Sequence, residues 1–157
     1  MKTLLILVKK TTDPHISALT EEYVGRLKHY LTFDVAVVPE LKNNKKMSEE
    51  QQKQLEGEQI LRLLQPGDHV VLLDERGREL RSVELADWMA NKMNTLSHRL
   101  VFIIGGPYGF SADVYAAAQQ KLSLSKMTFS HQMVRLIFVE QLYRAMTIIR
   151  GEPYHHE

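Results

Sequence analysis

Three glycines follow the fourth strand-like run of this 157-residue chain. Gly105, Gly106 and Gly109 come directly after the apolar run 100–104. Glycine lets a backbone approach a ligand closely, and a turn from a strand into a helix presents free N–H groups to anionic or carbonyl-bearing groups. The pattern fits either a ligand site or a tight turn that binds nothing.

The position of this turn argues against a dinucleotide-binding domain. Such a domain carries its glycines after the first strand, with an acidic residue about 20 positions later. Here the first apolar run ends in the segment 8–12, which contains no glycine. We therefore place the predicted ligand site in the C-terminal third and keep a nucleotide-binding oxidoreductase as the weaker alternative.

The segment 124–131 is a second candidate, because small hydroxyl residues alternate there with apolar ones. Such a loop can offer backbone groups and apolar walls to an adenine ring. It can equally be the end of a strand followed by a helix N-cap.

Polar groups near the C-terminus form the third candidate. Arg144 follows Glu140 by four residues in an otherwise apolar segment, so it either forms an ion pair on one helix face or contacts a phosphate or substrate. The tail carries Tyr154 and His155, and an imidazole titrates near neutral pH and can accept a proton. The alternative is an unpacked tail.

Composition excludes several classes of protein. There is no Cys, which rules out disulfides and thiolate chemistry, and no His pair has metal-ligand spacing on a helix, so we predict no metal. No apolar run is long enough to span a membrane, and no signal peptide is recognisable, so we expect a cytoplasmic protein.

Charge alone does not indicate nucleic-acid binding, because 20 Lys and Arg balance 19 Asp and Glu. The basic residues nevertheless occur in three groups, which fit either solvated surfaces or contacts to an anionic partner. The groups are Lys42, Lys45 and Lys46; Arg76, Arg78 and Arg81; and Arg135, Arg144 and Arg150.

Strand-like and helix-like segments alternate along the chain, which predicts an α/β domain with a parallel sheet covered by helices over residues 1–157. The predicted strands are 4–8, 33–38, 70–73, 100–104 and 121–125, with 74–77 as a loop. The predicted helix N-cap residues are Asp13, Ser48, Ser82, Ser111 and Ser130.

The last predicted helix, from Ser130 to about Ile149, is apolar on nearly every face. A helix of this kind is either central to the core or covered by a second subunit, because water would otherwise meet a large apolar patch. We expect a homodimer.

Four phrases together resemble the RlmH family, which methylates N3 of a pseudouridine in large-subunit ribosomal RNA. They are Ile104–Phe110, Leu122–His131, Val139–Ala145 and Pro153–His155, and the resemblance extends over the whole chain. It implies the SPOUT fold, in which the C-terminal part of the sheet forms a trefoil knot. Ser130 departs from the family phrase, which often has Pro there.

The resemblance also implies S-adenosylmethionine as the cofactor and positions that bind it. These positions are Leu73, Gly105, Leu124, Ser125, Lys126, Met127, Thr128 and Phe129.

For catalysis, His155 or Tyr154 is the predicted group that accepts or orients the N3 proton, and Arg144 the predicted contact to the base or a phosphate. The expected partners are the assembled ribosome as substrate and a second copy of the chain, with neither membrane nor metal. A non-catalytic dimeric RNA-binding or interaction module is the third hypothesis, since the apolar last helix alone would suffice for it.

Overall fold

The computed structural model describes residues 1–42 and 44–156. Asn43, in the basic group at 42–46, and Glu157, the last residue of the tail, lie outside the described residues. The strands are β1 (Lys2–Val8), β2 (Thr32–Val38), β3 (His69–Glu79), β4 (Leu100–Ile104) and β5 (Gln120–Ser123). The α-helices are α1 (Pro14–Leu27), α2 (Glu49–Leu63), α3 (Ser82–Thr95), α4 (Ala112–Ala117) and α5 (Met133–Ile149).

The five strands form one sheet in the order β2-β1-β4-β3-β5, and every neighbouring pair is parallel. This confirms the predicted α/β class. Strands β1 and β4 lie inside the sheet, and all five residues of β4 are buried, which explains their continuous apolar sequences. Because all strands point the same way, the loops after them meet at one edge.

Helices cover both faces of the sheet. Helix α5 packs between α1 and α3 on one face, with Phe138, Val139 and Leu142 buried in the core, while Ile60 of α2 and Val114 of α4 are buried against the other face. One side of α5 is therefore a core element, as one of the two sequence alternatives requires. Dimerisation stays a prediction, as does the trefoil knot.

Strand β3 is longer than the sequence predicts, and the predicted loop 74–77 interrupts it as a bulge. Leu73 and Arg78 both lie opposite Leu122 of β5, so the four residues between them loop out before β3 resumes its pairing. Glycine and charged residues in 74–77 favoured a loop in local sequence terms, but pairing with β5 continues the strand. Strand β5 itself ends at Ser123, two residues earlier than predicted.

Two predicted helix starts also differ. Helix α3 begins at Ser82 itself, whose hydroxyl donates to Gln141 of α5 (2.8 Å) instead of capping. Helix α5 begins at Met133, and the predicted cap Ser130 accepts the Met133 N–H (3.2 Å) from the preceding turn. No helix in residues 1–42 and 44–156 is long and apolar enough to cross a membrane.

Candidate active site

A cleft of about 870 Å³ lies where β4 ends and the bulge 74–77 interrupts β3. Leu73, Gly105 and Phe129 line it, and a smaller adjoining hollow of about 150 Å³ shares Leu73 and Phe129. The hollow is also lined by Leu124, Ser125, Met127 and Thr128. The fold thus brings together the predicted cofactor positions from three separate segments. Lys126 is exposed and lines neither space.

Hydrogen bonds within the loop after β5 shape the hollow. The Ser123 hydroxyl donates to the Ser125 carbonyl (3.0 Å), and the Ser125 hydroxyl accepts the Met127 N–H (2.9 Å). This turn leaves the Met127 side chain 77% exposed. A polarisable apolar side chain beside a hollow is suited to contact an apolar or aromatic part of a ligand.

Close packing and backbone conformation require glycine at two positions of the turn after β4, whether or not a ligand binds there. A Cβ on Gly105 would lie 2.9 Å from the buried ring of Phe110. Gly109 has a φ of +81°, a backbone conformation that residues other than glycine rarely adopt. The Gly109 N–H donates to the Gly106 carbonyl (3.2 Å) and closes the turn. A tight turn and a wall of the cleft are therefore the same feature.

Glu56 of α2 supports this turn from behind, and nothing in the sequence singled it out. Its side chain is almost fully buried, accepts a hydrogen bond from Gln52 (3.2 Å), and has Oε1 2.9 Å from the position of a Cβ on Gly106. Burial raises the pKa of Glu56, although the Gln52 hydrogen bond and the charge of Lys9 lower it in part. The only local signal is the spacing of Gln52 and Glu56, which is common on helices.

Glu56→Gln is expected to flatten the dependence of stability on pH. Because the pKa of Glu56 is raised in the folded state, its contribution to stability is fully present below its ordinary value of 4.5 and is lost as pH rises through the folded-state value. Glutamine cannot ionise, so the stability of the variant relative to wild type should increase as the pH rises from acidic to neutral. Urea unfolding at several pH values measures this. Glu58→Gln, on the exposed side of α2, is the matched control, and equal pH profiles for both variants would contradict the expectation.

Asp74 places a carboxylate on the wall of the cleft. Its side chain is 7% exposed and accepts hydrogen bonds from the Tyr115 hydroxyl and the Arg76 N–H. Burial and the contact with Asp74 raise the pKa of Tyr115, so the phenol keeps its proton and holds the carboxylate in place. A fixed carboxylate at this position favours a ligand with positive charge nearby.

The predicted catalytic residues form a second cluster at the other end of α5. Arg144 donates to Glu140 (2.6 Å), as the ion-pair alternative predicted, and also lies 3.1 Å from Nδ1 of His155. Tyr154 donates to the same Glu140 oxygen (2.9 Å), and its ring lies 4.8 Å from the Arg144 guanidinium carbon. The tail is therefore packed against α5.

Protonation in this cluster follows from its hydrogen bonds. Burial raises the pKa of Tyr154, as do its contacts with Tyr23 and Glu140, so this phenol is a proton donor at neutral pH. Arginine can only donate, so Nδ1 of His155 accepts from Arg144 and a neutral His155 carries its proton on Nε2. In this arrangement His155 is oriented by Arg144, and Nδ1 can take a proton only after that contact breaks.

The two clusters are far apart within one chain. Val134 lines the cleft, and Arg144 lies ten residues further along α5, which is about 15 Å at 1.5 Å per residue. One subunit therefore does not place His155 beside the predicted cofactor positions. In residues 1–42 and 44–156, no group of three or more His, Asp and Glu side chains is arranged to hold a metal ion.

Comparison with known proteins identifies the family of the chain and the class of reaction that it catalyses. The family described as "Predicted SPOUT methyltransferase" matches residues 1–155. The chain belongs to the SPOUT methyltransferase family. The enzyme is thus a methyltransferase, which decides against the oxidoreductase and the non-catalytic module.

Individual relatives of this SPOUT methyltransferase match over their full length. A protein of Bacteroides thetaiotaomicron is 61% identical and one of Phocaeicola vulgatus 62% identical, each over 157 residues and 100% of both chains. A protein of Porphyromonas gingivalis is 54% identical over the same length. All three are named ribosomal RNA large subunit methyltransferase H.

Proposed function

We propose that this SPOUT methyltransferase transfers the methyl group of S-adenosylmethionine to N3 of a pseudouridine in large-subunit ribosomal RNA. The observation that carries the proposal is the convergence of Leu73, Gly105 and the loop 124–129, except Lys126, on the cleft and its adjoining hollow. The relatives' names supply the class of RNA. We propose that the whole chain acts as one knotted domain, in the cytoplasm, on the assembled ribosome.

The residues of the cleft suit S-adenosylmethionine. Met127 and Phe129 offer apolar contacts for an adenine ring, and the glycine turn offers backbone groups at a strand end. The Asp74 carboxylate favours the cationic end of such a molecule. When bound, S-adenosylmethionine supplies an electrophilic methyl group, and the chain itself contributes position and hydrogen bonds.

We propose that the second cluster binds the target base. Arg144 can bind a carbonyl or a phosphate, while His155 is oriented by Arg144 and has a buried Nε2, so it can donate to the base or take the N3 proton only after the tail rearranges. Tyr154, held by Glu140 and Tyr23, positions the tail.

A homodimer would bring the two clusters together. Because about 15 Å of α5 separates them within a chain, we infer that Arg144 and His155 of one subunit complete the cleft of the other. The outward side of α5 carries Met133, which is 39% exposed, and the half-buried Leu136 and Ile137, so it provides apolar surface for this contact. Mixing subunits defective in Arg144 with subunits defective in the cleft should restore part of the activity. A mixture as inactive as each parent would contradict the composite site.

The direct test of function is mass spectrometry of ribosomal RNA from cells with and without the protein. We expect one methylated pseudouridine to disappear with the protein. Purified enzyme should methylate assembled ribosomes faster than protein-free RNA, because a compact, nearly neutral subunit has little surface for binding free RNA. Equal rates on both substrates would exclude the assembled ribosome as the preferred one.

Gly105→Ala is expected to weaken binding of S-adenosylmethionine at least tenfold. The new methyl group would meet the Phe110 ring at 2.9 Å, so the ring or the turn must move at the wall of the cleft. Isothermal titration calorimetry measures the loss. Unchanged affinity in a folded variant would mean that the ligand does not lie against this turn.

A further inference from the structure

A basic groove of about 420 Å³ lies next to the cleft, at the edge where β1 and β2 end. Its polar lining consists of Lys9, Lys10, Thr12, Glu40, His131 and Gln132. His131 lines the cleft as well, so the groove and the cleft are neighbours. Apart from His131, which ends the candidate segment 124–131, none of these residues was assigned a role from the sequence.

The groove is built on a loop that α5 holds in place. The side-chain oxygen Oε1 of Gln132 accepts the N–H groups of Thr12 (3.2 Å) and Asp13 (2.9 Å). The side-chain nitrogen Nε2 of Gln132 donates to the Thr12 hydroxyl (2.6 Å). Arg135 donates to the Thr11 hydroxyl (2.8 Å) and to the Val8 carbonyl (2.6 Å). Lys9 and Lys10 lie between the anchored residues Val8 and Thr11, so their side chains extend from a defined backbone.

Arg135 beneath the loop is fully buried and forms no ion pair with any residue in the part of the chain that the structure describes. Its Nε also has no hydrogen-bond partner there. Removing a charge from water without a counter-ion is costly, and the charge acts strongly on its surroundings because the interior screens it weakly. Arg135 thus adds positive potential beneath the groove.

The surface of the groove is positive as well. Lys10 is exposed and makes no ion pair within residues 1–42 and 44–156, while Lys9 lies 3.8 Å from the largely exposed Glu40. Lys9 also has a φ of 69°, which is unusual for a residue other than glycine and is held by its N–H bond to the Val38 carbonyl (2.7 Å). The loop after β2 carries three more exposed lysines, Lys42, Lys45 and Lys46, which lie outside the lining of the groove.

We propose that this groove binds a phosphodiester group of the RNA next to the target nucleotide, while the target base enters the cleft. Lysine ammonium groups, hydroxyls and side-chain amides are the groups that contact phosphate oxygens and fix the register of a nucleic acid. The exposed Glu40 carboxylate pairs with Lys9 and would turn toward water when phosphate binds. The inference rests on the proposed function, and it adds the part of the protein that orients the RNA.

The test compares two double variants that each lose two positive charges. Lys9→Gln/Lys10→Gln alters the groove, and the control Lys2→Gln/Lys28→Gln alters exposed lysines near the amino ends of β1 and β2, at the opposite edge. Binding to assembled ribosomes is measured between about 50 and 200 mM salt, a range over which affinity from phosphate contacts falls steeply. For the groove variant we expect about tenfold weaker binding and a salt slope smaller by about 1, and for the control wild-type values.

Methylation kinetics and cofactor binding separate this inference from the proposed function. The groove variant should show its loss in KM for ribosomes more than in kcat, with wild-type affinity for S-adenosylmethionine. Groove and control variants with equal ribosome affinity and equal salt slopes would overturn the groove proposal. If wild type bound no S-adenosylmethionine and methylated no RNA, the proposed function would fail, and the binding comparison would still decide the groove.

Discussion

Gly77→Ala is expected to lower the free energy of unfolding by about 2–3 kcal/mol. A Cβ at this position would lie 2.6 Å from the Leu122 carbonyl carbon and 2.7 Å from the Leu122 nitrogen. These neighbours are backbone atoms, so no side-chain rotation can relieve the contact. The bulge at 74–77 or the whole of β5 must shift.

The same substitution should also weaken cofactor binding, because β5 leads directly into the loop 124–129. We expect at least a tenfold loss of affinity for S-adenosylmethionine, about 1.4 kcal/mol or more. Urea unfolding and calorimetry on the same preparation measure both effects. Gly25→Ala is the control, since a Cβ there meets nothing within 4 Å and alanine favours a helix. A Gly77→Ala protein as stable as wild type would show that β5 is free to move.

His155→Ala is expected to reduce the single-turnover rate of methyl transfer by roughly 10²- to 10⁴-fold, the usual contribution of a group that handles a proton. The variant should bind S-adenosylmethionine normally, because the predicted cofactor positions belong to the cleft and its adjoining hollow and do not include the tail. His156→Ala, at the exposed neighbouring residue, should keep the wild-type rate.

Arg144 and His155 should act as one unit. Their contact of 3.1 Å predicts that Arg144→Ala removes the orientation of the imidazole, so the double variant should be little slower than the slower single variant. Rates that multiply would show that the two residues act independently. Wild-type rates for both His155→Ala and a protein cut before Pro153 would remove the tail from the mechanism.

Local sequence patterns were sufficient for the class of fold and for the tight turn that forms one wall of the cleft. Continuous apolar runs predicted strands buried on both faces, and β1 and β4 are such strands. The glycines after β4 predicted a tight turn at a strand end, which the structure contains. The capping box at Ser48 and Gln51 is also present, with both hydrogen bonds formed. These features depend on residues close together in the chain, so a pattern of neighbours is enough to predict them.

Resemblance to a family contributed the predicted cofactor positions, which spacing alone did not separate from an ordinary strand end. Their position around the cleft and its adjoining hollow depends on the bulge of β3 and the ends of β4 and β5, which lie at the same edge of the sheet. Helix α5 shows what composition alone leaves undecided. Its composition left core and subunit interface open, and only the packing against α1 and α3 assigned one of its sides to the core.

Contacts between distant residues were decided by the tertiary structure alone. In the sequence Gly77 resembles any loop residue, and only the structure shows that it packs against the backbone of Leu122. In the same way, only the structure shows that Glu56, an ordinary helical residue in the sequence, lies beneath Gly106. Arg135, one of three scattered C-terminal arginines in the sequence, is buried beneath the loop after β1. Each contact arises from the strand order β2-β1-β4-β3-β5, which brings segments dozens of residues apart into van der Waals contact. Helical and strand periodicity describe which face of an element is apolar, but they carry no information about which other element will cover that face.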